Sequence, residues 1–316
     1  MGSIIDIIAP VFVLIALGYA TARFNFLPDA AGDGLAQFVV KLAVPVLLMR
    51  SIATAQLGEV NPWGFLAAYG ITVLVAWAMA GAVIVSVFKR GWRASVIAGV
   101  AASFSNLVLL GIPLIERAFG EPGLQILFFL ISFHLPFMMT LSTFLMEHAV
   151  RADGVEQTPL RPLAIAKTLA RNLAVNPIII GITAGLLWRF SGLPYGGLPG
   201  DVIDALARTT GPLALFSLGM GLIKYGIKGN LAPAFALAAL SLIVMPGTIY
   251  GLGTTVLDLP VLWLQVAVLA AACPTGMNAY LFATYFNIAQ GLATNTIVIA
   301  TLGSIITLPL WLSLVL

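Results

Sequence analysis

Two short polar clusters interrupt long apolar segments of this chain, and their residue types suit the capture of an anion. The first is Ser103, Ser105 and Asn106, followed by Gly111-Ile112-Pro113. The second is Pro274-Thr275-Gly276-Met277-Asn278. Proline lacks a backbone donor and clashes with the carbonyl four residues before it, so neither segment is expected to run as an unbroken helix. A helix that begins in mid-membrane presents unpaired N–H groups carrying partial positive charge. Such ends, backed by neutral hydroxyls and amides, favour a carboxylate and still release it. Ser103, Ser105, Asn106, Thr275 and Asn278 are therefore expected to bind substrate, with Gly111, Pro113, Pro274 and Gly276 breaking the helices. The alternative is that the prolines only kink packed helices, whose polar groups then bond backbone carbonyls.

Three further polar positions stand out. Lys41 and Arg208 lie 167 residues apart, and each precedes a proline (Pro45, Pro212) by four residues. A cation at membrane depth costs roughly 2.5–3.5 kcal/mol, so each is expected either to draw an anion inward or to snorkel to the headgroups. Asp201 and Asp204 have the spacing to pair with Arg208 along one helix face. His134, two residues before Pro136, is read either as a proton relay or as a hydrogen-bonded packing residue.

The elements that must carry these groups follow from composition. Of 316 residues, 60% are hydrophobic and only 9% charged, with a mean hydropathy of +1.06. Soluble domains carry about a quarter charged residues, so this is an all-α polytopic membrane protein. About twenty apolar residues span a bilayer. That predicts ten spans, near 4–22, 36–53, 63–88, 94–119, 123–146, 173–190, 202–223, 231–257, 261–286 and 292–314. The first is expected to be a retained span, since no basic run precedes it. The linker 149–171 is polar and too short for a soluble domain; its second half could lie as a helix on an anionic leaflet. Ten Lys and Arg residues fall on its side of the membrane and three on the other. The linker is therefore expected in the cytoplasm of a cell whose inner membrane holds the chain, with both termini outside.

Prolines also disclose a repeat. Pro10 and Pro177, like Pro45 and Pro212, are 167 residues apart, while Asn106 and Asn278 are 172 apart. The run from Gly18 to Pro28 is echoed from Gly185 to Pro194. A slowly drifting offset is what two diverged copies with small loop changes produce. Residues 1–148 and 172–316 then form two five-helix repeats joined by 149–171. An odd number of spans makes the second copy inverted, a recurrent transporter plan.

The stretch Asn106-Leu107-Val108-Leu109-Leu110-Gly111-Ile112-Pro113-Leu114 resembles the fourth span of the auxin efflux carrier family. Pro28-Asp29, Phe38 to Pro45, Asn176-Pro177, Leu215 to Gly219, Pro274-Thr275-Gly276 and Leu308-Pro309 are similar too, covering nearly the whole chain. The resemblance implies a 5+5 inverted repeat in which spans 1, 2, 6 and 7 form a scaffold and discontinuous spans 4 and 9 cross, as in bile-acid symporters. It implies carriage of small organic anions, mono- or dicarboxylates, by an alternating-access, elevator-type movement, with Asn106 holding the substrate carboxylate. Repeat position extends that role to Asn278, and the Asn-Pro helix start extends it to Asn176. The plant carriers have an apolar residue where Lys41 stands, so a charge here could suit two carboxylates. A sodium-coupled symporter of the bile-acid-transporter type is the competing reading.

No Walker loop, metal-ligand spacing or nucleophile with a base partner occurs, so neither an enzyme nor a cofactor is expected. The net charge of +3 is explained by orienting loops and calls for no nucleic acid. Gly181-xxx-Gly185 and Gly247-xxx-Gly251 allow close helix approach, and small-residue faces permit a homodimer.

Overall fold

The structure, a computed structural model, describes residues 4–54, 62–154, 170–171, 174–225, 229 and 231–316. Most of the 149–171 linker, including Arg161 and Lys167, lies outside the described residues, as do Glu59 and Lys228. Among the described residues the regular structure is all helical, apart from one isolated bridge between Ser105 and Thr275.

The helices in chain order are α1 (Ile4–Arg23), α2 (Asp29–Thr54), α3 (Pro62–Val87), α4 (Trp92–Ser103) and α5 (Ile112–Ala152). They continue as α6 (Pro177–Ser191), α7 (Gly197–Lys224), α8 (Ala232–Thr255), α9 (Val261–Ala272), α10 (Asn278–Tyr285) and α11 (Gln290–Val315). Seven helical stretches among the described residues are long and apolar enough to cross a membrane. The count falls below the ten expected spans for local reasons. The fourth and ninth are interrupted, the sixth is 15 residues long, and the fourth and fifth join as one 46-residue stretch through Leu107–Ala152. Within that stretch Gly120 has φ 63° and ψ −155°, which divides it into two helices. Glycine tolerates that backbone because it has no Cβ.

Three π-helical turns, Val39–Ala43, Leu107–Gly111 and Leu240–Val244, each end two residues before a proline: Pro45, Pro113 and Pro246. A wider turn lets the ring clear the carbonyl four residues back, which loses its usual donor. For Pro246 that carbonyl belongs to Leu242, and it accepts instead from the Trp311 indole N–H at 2.9 Å.

The chain divides into two compact units. The first comprises Met1–Val60, Val108–Ser132 and Ala170–Lys224. It therefore contains α1, α2, α6 and α7, together with the π turn from Val108 and α5 as far as Ser132. Its core is built by glycines that bring backbones into contact. A Cβ on Gly18 of α1 would lie 2.0 Å from the Phe216 carbonyl oxygen of α7, and one on Gly185 of α6 would lie 2.8 Å from the Met49 carbonyl oxygen of α2. Gly219 and Gly181 make the matching approaches, to Ile15 and Pro45.

One end of this unit is held by a charged network. Arg50 Nη2 contacts Glu121 Oε2 at 2.9 Å, and Arg50 Nε lies 3.6 Å from Asp204 Oδ1. The Ser51 hydroxyl donates to Glu121 and the Tyr195 hydroxyl to Asp204. Burial and the Asp204 carboxylate together push the Tyr195 phenol up to about 12. Asp204 thus pairs with Arg50 and not with Arg208, and none of the described ion pairs includes Arg208. Helical spacing allows the Asp204–Arg208 pair, but Arg50, brought by α2, meets the carboxylate first. Arg50→Ala leaves two carboxylates without their cation. It is expected to lower stability by about 1–3 kcal/mol, a value reduced by partial exposure of all three groups. Thermal unfolding of the purified variant in detergent checks this.

The second unit comprises Asn61–Leu107, Phe133–Leu169 and Tyr225–Leu316, and holds α3, α4, α5 from Phe133 onward, α8, α9, α10 and α11. The centre of α4 and the second half of α9 are buried on all sides, with Ile97, Val100, Ala101, Val268, Ala271 and Ala272 fully covered. Alanine predominates there because it leaves room for close approach while remaining a strong helix former. Asp153, one residue beyond α5, accepts from the backbone N–H groups of Trp92 and Arg93 and so caps α4.

Candidate functional site

The two interrupted helices meet inside the second unit. Helix α4 stops at Ser103, and the chain runs extended through Phe104–Asn106 before the π turn begins at Leu107. Helix α9 stops at Ala272, and α10 starts at Asn278. Between them Ser105 and Thr275 form an antiparallel bridge. The Asn106 amide donates to the Pro274 carbonyl at 2.8 Å, and the Gly276 amide donates to the Phe104 carbonyl at 2.8 Å. Each break therefore supplies the partner that the other lacks, which meets the cost of non-helical backbone away from water.

The hydroxyls extend this reciprocity. Thr275 Oγ1 donates to the Ala101 carbonyl of α4 at 2.6 Å. Ser105 Oγ lies 3.5 Å from the Ala271 carbonyl of α9 and 3.7 Å from the Met245 sulfur. Ser103 donates to the Gly99 carbonyl within its own helix. Carbonyls in the last turn of a helix have no intrahelical donor, so Ser105 and Thr275 act as caps exchanged between two helices. Gly276 is required by the close approach: a Cβ there would lie 3.1 Å from the Phe104 carbonyl oxygen and 3.4 Å from Asn106 Cα.

Asn106 is 6% exposed and follows the bridge directly, whereas Asn278 is half-buried at the start of α10. The bridge is antiparallel, so its register sets Asn106 against Pro274 and Phe104 against Gly276. Asn278 falls two residues further on. Four helix ends converge on this point. The C-termini of α4 and α9 are covered by the exchanged hydroxyls, and the N-terminal ends at Leu107 and Asn278 are positioned to attract negative charge.

Tyr69 of α3 and His134 of α5 border the first break. The His134 ring lies edge-on to Tyr69 and Phe104, with centroids 5.4 and 5.1 Å away. It is 2% exposed, and neither ring nitrogen has a hydrogen-bond partner among the described residues. Sequence reasoning missed Tyr69, because a tyrosine within an apolar span carries no signal until its neighbours are known.

The remaining expected residues belong to the first unit. The Asn176 side chain accepts from the Ile178 amide at 2.9 Å and caps α6. Lys41 is exposed in the π turn of α2, with Nζ 3.4 Å from Gln37 Oε1, and Arg208 is exposed within α7. Gly111 ends a π turn that continues directly into α5, and Pro113 stands two residues beyond it, inside the continuous helical stretch Leu107–Ala152. The loss of helical structure at the first break lies at Phe104–Asn106, upstream of both.

The sequence profile of a family described as "Membrane transport protein" matches residues 3–312. A Rhizobium meliloti (strain 1021) protein named "Putative malonate transporter" is 27% identical over 307 residues, covering 97% of this chain and 94% of its own length. An "Uncharacterized transporter" of Methanothermobacter thermautotrophicus is 26% identical, covering 98% of each chain. The mouse "Lysosomal cholesterol signaling protein" is 24% identical over 93% of this chain but only 35% of its own length.

Proposed function

Because the chain belongs to the membrane transport protein family, the auxin efflux carriers, we propose that it is a secondary carrier of small carboxylates, with dicarboxylates such as malonate as the first candidates. The observation that carries this reading is the pairing of two interrupted helices through Asn106–Pro274 and Phe104–Gly276. Midplane breaks of this kind are where secondary transporters hold their substrates. Asn106 and Asn278, with the helix N-termini beside them, grip the carboxylate; Ser105 and Thr275 hold the two breaks together, and Ser103 supports α4. Lys41 and Arg208 draw the anion toward the membrane. The name of the Rhizobium relative supports the substrate class.

A 5+5 inverted repeat with crossing spans 4 and 9 organises the chain in this reading. Two observations support it. The contacts Gly18–Phe216 and Gly185–Met49 become one another when each residue is exchanged for its counterpart 167 positions away. The Ser105–Ala271 and Thr275–Ala101 contacts do the same at 170. The repeats are residues 1–148 and 172–316, joined by a cytoplasmic 149–171, with both termini outside the inner membrane. Transport proceeds by alternating access, the unit that carries the breaks moving as an elevator.

Proteoliposomes containing the purified chain are expected to take up labelled malonate and to exchange it for unlabelled malonate by counterflow. Uptake that appears only under an inward sodium gradient would select the sodium-coupled alternative. Saturable malonate binding without counterflow would mark a ligand sensor and overturn the carrier.

A further inference from the structure

A cavity of about 520 Å³ opens in the second unit, where the ends of α3, α4 and α5 come together. Its walls include Trp77, Val85, Trp92, Val96, Leu145 and Ala149, and its polar side chains are Ser86, Ser95 and His148. Both serine hydroxyls already donate within their own helices, to the Ala82 and Trp92 carbonyls. His148 Nδ1 lies 2.9 Å from the Phe144 carbonyl, which leaves one ring nitrogen for anything else. Such a wall cannot solvate a carboxylate, so this is no second substrate site.

The chain around the mouth has the opposite character. Lys89 and Arg90 form the turn between α3 and α4, Arg93 stands in the first turn of α4, and Arg151 stands in the last turn of α5. The acids of the same region are Glu147 and Asp153, and Asp153 is engaged by the amides of α4. Arg93 Nε is buried without a hydrogen-bond partner among the described residues. An apolar slot of ligand size with a basic mouth matches an acyl chain carrying an anionic headgroup. We propose that this slot seats one acyl chain of an anionic phospholipid, its phosphate held by the Lys89–Arg93 turn.

The test uses the full chain purified in detergent, with lipid binding followed by native mass spectrometry and thermal shift. The probes are dioleoyl phosphatidylglycerol, dioleoyl phosphatidylcholine and glycerol 3-phosphate. Phosphatidylglycerol is expected to bind saturably and more tightly than phosphatidylcholine. Lys89→Gln with Arg90→Gln should reduce that preference about fivefold per charge removed. Ala82→Phe, at an exposed wall position, should fill the slot and abolish retention of either lipid while the protein still elutes as a folded species. Equal binding of the two lipids, unchanged retention by Ala82→Phe, or a full shift from glycerol 3-phosphate alone would each overturn the proposal.

Discussion

Asn106→Ala is expected to lower malonate uptake about 100-fold, since a hydrogen bond to a charged group contributes about 1.5–3 kcal/mol and its buried partner is left without a substitute. The variant should keep its fold. The bond that ties the two breaks together at this position runs from the Asn106 backbone amide to Pro274, and alanine retains that amide. Only the side-chain amide is lost, at a residue 6% exposed, and its volume is small. The unfolding temperature should therefore stay within about 2–4 °C of wild type, the shift that ~1 kcal/mol produces in a chain of this size or somewhat smaller. Asn106→Asp keeps the shape but opposes an anion, and it should fail in the same way. Uptake at the wild-type rate in Asn106→Ala would remove this residue from the binding site.

Gly219→Ala is expected to yield almost no folded protein. The added Cβ would fall 2.0 Å from the Ile15 carbonyl oxygen and 2.9 Å from the Tyr19 amide nitrogen, both backbone atoms of α1. Neither can swing aside as a side-chain tip could, so α1 and α7 must separate along their contact. Overpacking of this kind costs typically about 1–3 kcal/mol and more where backbone must move. Gly18→Ala should behave alike, because its Cβ would meet the Phe216 carbonyl oxygen at the same distance. Gly221 is the control, two residues along the same helix with nothing within 4 Å. Gly221→Ala should be neutral or stabilising by up to about 1 kcal/mol, through the better helix propensity of alanine. Fluorescence-detected size-exclusion of the three variants separates these outcomes. Equal monodisperse yield from Gly219→Ala and Gly221→Ala would contradict the close backbone contact.

Hydropathy located the helical segments because an apolar run long enough to span lipid is a local property of the chain. The prolines were equally legible, since each changes the backbone where it stands, and the expected gap between 119 and 123 holds Gly120, where the structure turns. The breaks were placed within a few residues for the same reason, although the sequence pointed to Gly111-Ile112-Pro113 and the helix is lost at Phe104–Asn106. What the sequence concealed is which group each polar atom meets. Thr275 looked like a donor for substrate, yet its hydroxyl faces the carbonyl of Ala101, 174 residues away. Asn176 looked like a binding residue, yet it caps its own helix. Asp204 was matched to Arg208 by helical spacing, and tertiary packing delivered Arg50 instead. Sequence offsets matched Asn106 to Asn278, but they could not show that an antiparallel bridge sets Asn106 against Pro274. Such registers depend on how two distant segments approach, and no local pattern encodes that.

The exchanged bonds at Ser105 and Thr275 have a mechanical consequence. Two amide links and two hydroxyl links join segments that the chain separates by about half its length, so neither segment can slide, tilt or unwind by itself. Displacing one drags the other, and the joint behaves as a welded cross-brace, not as a pair of hinges. In the elevator movement proposed above, a cargo lodged there would travel in a cradle whose walls keep their spacing.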